Sequence, residues 1–188
     1  MDELYIKKVL NGDSDAFRYF VHNYKDMAFN IAMSVLKSEF DASDVVQEAF
    51  LIAYSRLSTF RGDSKFSTWL CRIVINESLK HRKKLSTYDH LHPDIDPANE
   101  VAGDEIFDSI EPMEEDQRKY FVELALDRIA SREALVLTLY YIEGYQIAEV
   151  SDLTGWSLSN VKVILSRGRK SMYAELNRIL KSEKQLLY

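Results

Sequence analysis

The chain of 188 residues has a single cysteine, Cys71, so it can form no internal disulfide. A reducing compartment follows as the expectation. It has three prolines and six glycines, too few for a fold of short strands and tight turns. No stretch approaches the roughly 20 apolar residues of a membrane span. The start, Met1, Asp2, Glu3, Leu4, lacks the basic and apolar segments of a secretion signal. A soluble cytoplasmic protein is therefore expected. No glycine-rich phosphate loop and no arrangement resembling a catalytic triad is present, which leaves an enzyme reading without residues and calls for no cofactor. With 46% hydrophobic residues the chain can still bury a substantial core.

The chain also lacks an excess of positive charge. Its formal net charge is −6, which argues against nucleic-acid binding until the charge is divided along the chain. Eleven acids, from Asp89 to Asp116, and no Lys or Arg lie between Ser86 and Asp116; the remainder carries −6 + 11 = +5. Charges act locally, over about 8 Å at physiological salt, so patches matter more than the total. The acidic stretch also holds all three prolines, Pro93, Pro97 and Pro112. Residues 86–115 read as a linker, with a short apolar patch (Val101, Ile106, Phe107, Ile110) able to dock elsewhere. Asp89, His90, His92 and Asp94 have metal-binding chemistry, but nothing fixes their geometry, and a solvated loop is the expectation.

Both flanking parts read as helices, which gives an all-α fold of two small domains, 1–85 and 116–188. Phe17, Phe20, Val21, Tyr24, Ala28, Ile31, Ala32 and Val35 recur at helical spacing. Gly12 is placed to end a first helix and Ser14 to cap the second. A third helix is expected after Asp41 and a fourth from Ser64 or Ser67 through the basic run His81 to Lys84. Cys71 lies among apolar residues of that helix and reads as a buried thiol. In the second part, helices are expected at about 116–130, 131–143, 146–154 and 157–180.

The segment from Gly144 to Lys170 has helix-turn-helix chemistry. Gly155 supplies a left-handed turn residue, small Ser151 permits close helix approach, and Ser157 can cap the second helix. Val150, Leu153, Trp156, Val161, Ile164 and Leu165 form a small core. Ser159, Asn160, Lys162, Val163, Ser166, Arg167 and Lys170 then face outward, polar groups near the helix start and cations further along. An ordinary helical hairpin with a solvated basic face is the competing reading.

Two further motifs resolve that ambiguity. Asp41-Ala-Ser-Asp-Val-Val-Gln-Glu-Ala-Phe50 and Phe60-Arg-Gly-Asp-Ser-Lys-Phe-Ser-Thr-Trp-Leu-Cys-Arg-Ile-Val-Ile-Asn76 precede the helix-turn-helix in order. Together the three resemble the sigma factors of bacterial RNA polymerase, in the short extracytoplasmic-function group. The resemblance implies that the first domain binds core polymerase through Asp44, Gln47 and Glu48. It implies that the loop Phe60, Arg61, Gly62, Asp63 and Ser64 captures a base flipped from the minus-ten element, with Trp69, Arg72, Lys80, Arg82, Lys83 and Lys84 around the opened DNA and Asn76 on the duplex just upstream. The second domain is expected to read the minus-thirty-five element through Ser157, Ser159, Asn160, Lys162, Ser166, Arg167 and Lys170. An anti-sigma factor is an expected partner.

Each assignment has a plainer counterpart. Trp69 can be core, Lys83 and Lys84 a solvated helix end, and the Asp44 triplet a solvent face. The chain also departs from the pattern: Ile129-Ala130 replaces the usual Leu-Pro, Val163-Ile164 replaces a Ser-Arg pair, and Thr154 replaces an apolar residue. These departures touch minus-thirty-five specificity. Two rivals remain at this stage: a stand-alone helix-turn-helix regulator with an unrelated sensor domain, and an adaptor that binds polymerase without DNA. The segment Phe60 to Lys84 argues against the first.

Overall fold

The computed structural model describes residues 1–86 and 114–186, and among these eight α-helices occur and no strand. The linker's apolar patch and the Asp89/His90 group lie outside the described residues. In the N-terminal unit, α1 spans Asp2–Leu10, α2 Arg18–Leu36, α3 Glu39–Ser55 and α4 Phe66–Ser86. Helices α2, α3 and α4 pack against one another. Phe20, Ile31, Val35, Leu57, Phe66, Leu70, Val74 and Ile75 are essentially without solvent exposure. Each such side chain contributes about 1.5–3 kcal/mol by burial. Ala28, Ala32, Ala42, Ala49 and Ala53 are fully buried too, and their small size lets the three helices approach. Cys71 is a buried free thiol.

Two expected boundaries are corrected. The third helix starts at Glu39, not after Asp41, because Lys37 takes the left-handed conformation usually left to glycine (φ 59°) and Ser38 caps the helix. The Ser38 hydroxyl accepts from the Asp41 amide at 3.3 Å. Ser14 does not cap α2. It lies in a 3₁₀ turn, Ser14–Phe17, whose cap is Asp13, accepting from the Ala16 amide at 3.2 Å.

The C-terminal unit consists of α5 (Glu115–Arg128), α6 (Ser131–Leu137), α7 (Ile147–Thr154) and α8 (Leu158–Leu186). Helix α6 continues into one wider, π-type turn, Thr138–Ile142. Helix α8 runs six residues past the expected 180, and its far half holds α5: Phe121 and Ala125 pack with Leu176 and Ile179. Its near half packs on α6 at Gly168. A Cβ there would stand 3.2 Å from Leu137 Cγ and 3.3 Å from Glu133 Cβ. Gly168→Val therefore drives a branched side chain into the α6–α8 contact. A loss of about 1–3 kcal/mol is expected in chemical denaturation of the full chain. An unchanged midpoint would show that the helices part without cost.

Candidate nucleic-acid and polymerase interfaces

In the helix-turn-helix, Gln146 precedes α7 and its amide donates to Glu149 Oε2 at 2.7 Å, which closes the helix start. The turn after α7 rests on Gly155 at φ 72°. Ser151 does more than leave room: its hydroxyl donates to the Trp156 carbonyl at 2.6 Å and pins the turn. Ser157 then caps α8, accepting from the Asn160 amide at 3.3 Å, with Ser159 Oγ 3.1 Å from its own hydroxyl. Val150, Leu153, Val161, Ile164 and Leu165 are buried, while Trp156 is half-buried, with the Arg132 guanidinium 5.7 Å from its ring centre.

That register turns Ser157, Ser159, Asn160, Lys162, Val163, Ser166 and Arg167 to solvent, with Lys170 half-buried at the margin. The Val163 side chain, 49% exposed, puts an apolar group on this face. Arg169 was not anticipated from sequence. It is exposed, and its Nε donates to the Tyr141 hydroxyl at 2.7 Å. Only the tertiary contact distinguishes it from any other surface arginine.

In the N-terminal unit the loop between the 3₁₀ turn Leu57–Thr59 and α4 carries Phe60 to Lys65. Gly62 has φ 78°, a bend that a side chain would strain. Arg61, Asp63 and Ser64 are exposed. Arg61 Nε lies 3.3 Å from Asp63 Oδ2, and the Ser64 hydroxyl donates to the Lys65 carbonyl at a long 3.4 Å. Both are weak surface contacts. Beneath the loop an aromatic cluster gathers. Phe60 and Trp69 rings stand 5.3 Å apart, and Phe66 lies 6.0 Å from Phe60 and 5.6 Å from Trp69. Phe60 and Trp69 are half-buried, so each has a buried side and a side open to solvent.

Along α4, Trp69, Arg72, Asn76 and Lys83 recur at three-, four- and seven-residue steps and share one face. Arg82 falls off that stripe, and Lys80 and Lys84 turn toward a groove shared with α3. Lys80 Nζ also contacts Glu77 Oε2 at 2.9 Å. The expected basic cluster is thus divided: Arg72, Asn76 and Lys83 face outward beside Trp69, and Lys80 and Lys84 face Asp44 and Glu48 across the groove.

Helix α3 presents Asp44, Gln47 and Glu48 to solvent together. Phe40 (75% exposed) and Leu51 (65%) lie on the same stripe, one turn before and one turn after. Phe40, Asp44, Gln47 and Leu51 follow one another at three- and four-residue spacing, with Glu48 four residues after Asp44, and only burial shows that the two apolar residues are exposed. At the start of this helix Asp41 Oδ1 is 3.0 Å from His81 Nε2 of α4. Hydrogen bonding from Ser38, then from His81, holds the Asp41 carboxyl below its ordinary range.

A helical unit with a basic and aromatic face, followed by a capped helix-turn-helix, defines an all-α DNA-binding transcription protein. The family model for Sigma-70 region 2 matches residues 20–87, and that for Sigma-70 region 4 matches residues 122–172. The chain is 29% identical over 184 residues to the ECF RNA polymerase sigma factor SigW of Bacillus subtilis, covering 91% of this chain and 94% of that protein. It is 27% identical over 180 residues to the ECF RNA polymerase sigma-E factor of Escherichia coli, covering 91% and 92%. Two solved structures share the fold. One is CnrH in complex with the cytosolic domain of CnrY (TM-score 0.61, 22% identity, 94% of this chain and 97% of that one). The other is the sigma factor RpoE in complex with the anti-sigma factor NepR from Bartonella quintana (TM-score 0.64, 18% identity, 86% and 96%). The chain belongs to the sigma-70 family, in its extracytoplasmic-function group, and is a promoter-specific transcription initiation factor. The match of region 2 to the N-terminal unit leaves no place for the unrelated sensor domain of a stand-alone regulator. Among the described residues no helix is long and apolar enough to cross a membrane.

Proposed function

We propose that the two units divide promoter recognition, each through the residues named above, and that α3 docks on core RNA polymerase through Asp44, Gln47 and Glu48 with Phe40 and Leu51 as apolar flanks. The units correspond to residues 1–85 and 116–188, joined by the acidic segment 86–115. The loop Phe60 to Ser64 takes a base flipped from the minus-ten element. Asp63 and Ser64 offer hydrogen bonds to its edge, and the aromatic cluster of Phe60 and Trp69 gives it a stacking surface. Arg72, Asn76 and Lys83 run along the adjoining backbone, with Lys80, Arg82 and Lys84 at the margins.

The observation that carries the second assignment is the register of α8. Ser157, Ser159 and Asn160 stand at the helix start, where base edges are read. Lys162, Arg167 and Lys170 follow, where phosphates run, with Ser166 between them. Val163 occupies a place suited to a thymine methyl group. The chemistry proposed is binding and strand separation, with no catalytic residue and no cofactor, in the cytoplasm where the polymerase works. CnrH and RpoE are held by CnrY and by an anti-sigma factor in their complexes, and an anti-sigma factor is proposed as a partner here too.

Replacing both Lys162 and Arg167 with Ala tests the reading face. Binding to duplex promoter DNA by the holoenzyme should weaken, and the slope of log affinity against log salt should fall by about 0.9 per cation removed. A folded double variant with the wild-type slope would take this helix out of the interface.

A further inference from the structure

The family model for region 2 begins at residue 20, so helix α1 lies outside it. Yet one side chain of α1 reaches two residues of α2 at once. The Asp2 carboxylate accepts from two phenols of α2: Tyr19 Oη at 2.9 Å on one oxygen and Tyr24 Oη at 2.6 Å on the other. Tyr19 is further held by stacking on Tyr5 of α1, with centroids 4.0 Å apart and rings nearly parallel. Tyr24 leads inward instead. Its ring lies 5.5 Å from Phe66, the first residue of α4. Phe66 is 2% exposed and also meets Phe20 at 4.2 Å. On its other side it meets Phe60 and Trp69, the two rings beneath the loop.

We infer that Asp2 is a positioning residue for the minus-ten loop, acting through Tyr24 and Phe66 on Phe60 and Trp69. The inference rests on the assignment of that loop to base capture. Phe66, the buried link of this aromatic chain, sits in a close-packed interior, so a displacement of the Tyr24 ring against it is passed on to the half-buried Phe60 and Trp69 rings. The Asp2–Tyr24 bond has a charged acceptor, a class of bond shorter and stronger than a neutral pair, and it fixes the ring's far end. Loss of the bond removes that anchor from the Tyr24 ring, and a shift passed through Phe66 disturbs the floor against which a flipped base stacks. Base capture depends on geometry to within about 1 Å, so a small shift has a large effect on opening.

The test uses the full chain in holoenzyme with Asp2→Ala, Tyr24→Phe and Tyr19→Phe, on a duplex promoter fragment carrying 2-aminopurine in the non-template strand of the minus-ten element. Strand opening should slow by about tenfold in Asp2→Ala and Tyr24→Phe, with affinity for core polymerase unchanged. Tyr19→Phe, which removes the other phenol, should open DNA close to the wild-type rate. A second measurement reads the link without DNA. The chain has two tryptophans, Trp69 and Trp156, so Trp156→Phe leaves Trp69 as sole reporter. Acrylamide quenching of Trp69 should rise in Tyr24→Phe and not in Tyr19→Phe. Wild-type quenching and opening in Tyr24→Phe would overturn the inference. So would equal slowing by Tyr19→Phe, which would make Asp2 a fastener of α1 and nothing more. If Asp2→Ala fails to fold, the two tyrosine variants decide alone. If a loop variant, Asp63→Ala with Ser64→Ala, opens DNA normally, the base-capture assignment fails, and the Trp69 quenching still decides whether Asp2 governs the cluster.

Discussion

Asp44→Lys with Glu48→Lys should lower affinity for core RNA polymerase by about tenfold or more while leaving the fold intact. Both side chains are exposed, so reversing them removes no packing, and surface substitutions of this kind generally cost little stability. The expected effect on binding is large because, in the proposed docking, like charges would meet where opposite charges attract. The groove on the inner side of these residues adds a detail. Asp44 and Glu48 line it with Lys80 and Lys84 of α4, so two new lysines would also face two old ones within the protein. The variant should therefore show a small loss of thermal stability that salt restores, beside the large loss of polymerase binding. Native-like circular dichroism with undiminished polymerase affinity would make this helix a solvated face.

The second large effect is expected at the loop. Asp63→Ala with Ser64→Ala should reduce strand opening by about tenfold to a hundredfold, as it removes the two groups proposed to hydrogen-bond the flipped base and offset the cost of flipping. Charge loss and loss of base contact can be told apart here. Asp63 pairs with Arg61 at 3.3 Å, so its removal frees a guanidinium and makes the loop more cationic. Non-specific duplex binding should hold or rise as opening falls. A parallel fall in both, read by filter binding and by 2-aminopurine fluorescence, would indicate that the loop had merely lost its shape.

Much of this was legible in the sequence because it rests on local chemistry. Gly155 and Ser157 specify a turn and a cap whatever surrounds them, and the apolar spacing of Val161, Ile164 and Leu165 settles which face of α8 is outward. The start of α3 was missed because Lys37 adopts a left-handed conformation with no glycine to announce it. The π-type turn Thr138–Ile142 likewise has no proline or glycine within it. Contacts between elements were illegible for a different reason. Asp2 with Tyr19 and Tyr24, Arg169 with Tyr141 and Asp41 with His81 join residues 17 to 40 positions apart, and no local pattern encodes such pairs. The same limit applied to Phe40 and Leu51, whose exposure reverses the usual expectation for their type.

The central claim is that this chain confers promoter choice on a polymerase. The most direct measurement is transcription by core RNA polymerase on fragmented genomic DNA of the host, with and without the protein, followed by sequencing of transcript 5′ ends. The account predicts a set of start sites that appears only when the protein is added, shares one motif near minus ten and another near minus thirty-five, and vanishes with Asp44→Lys and Glu48→Lys. Start sites unchanged by the protein, or tight sequence-specific footprints made by the protein without polymerase, would contradict it.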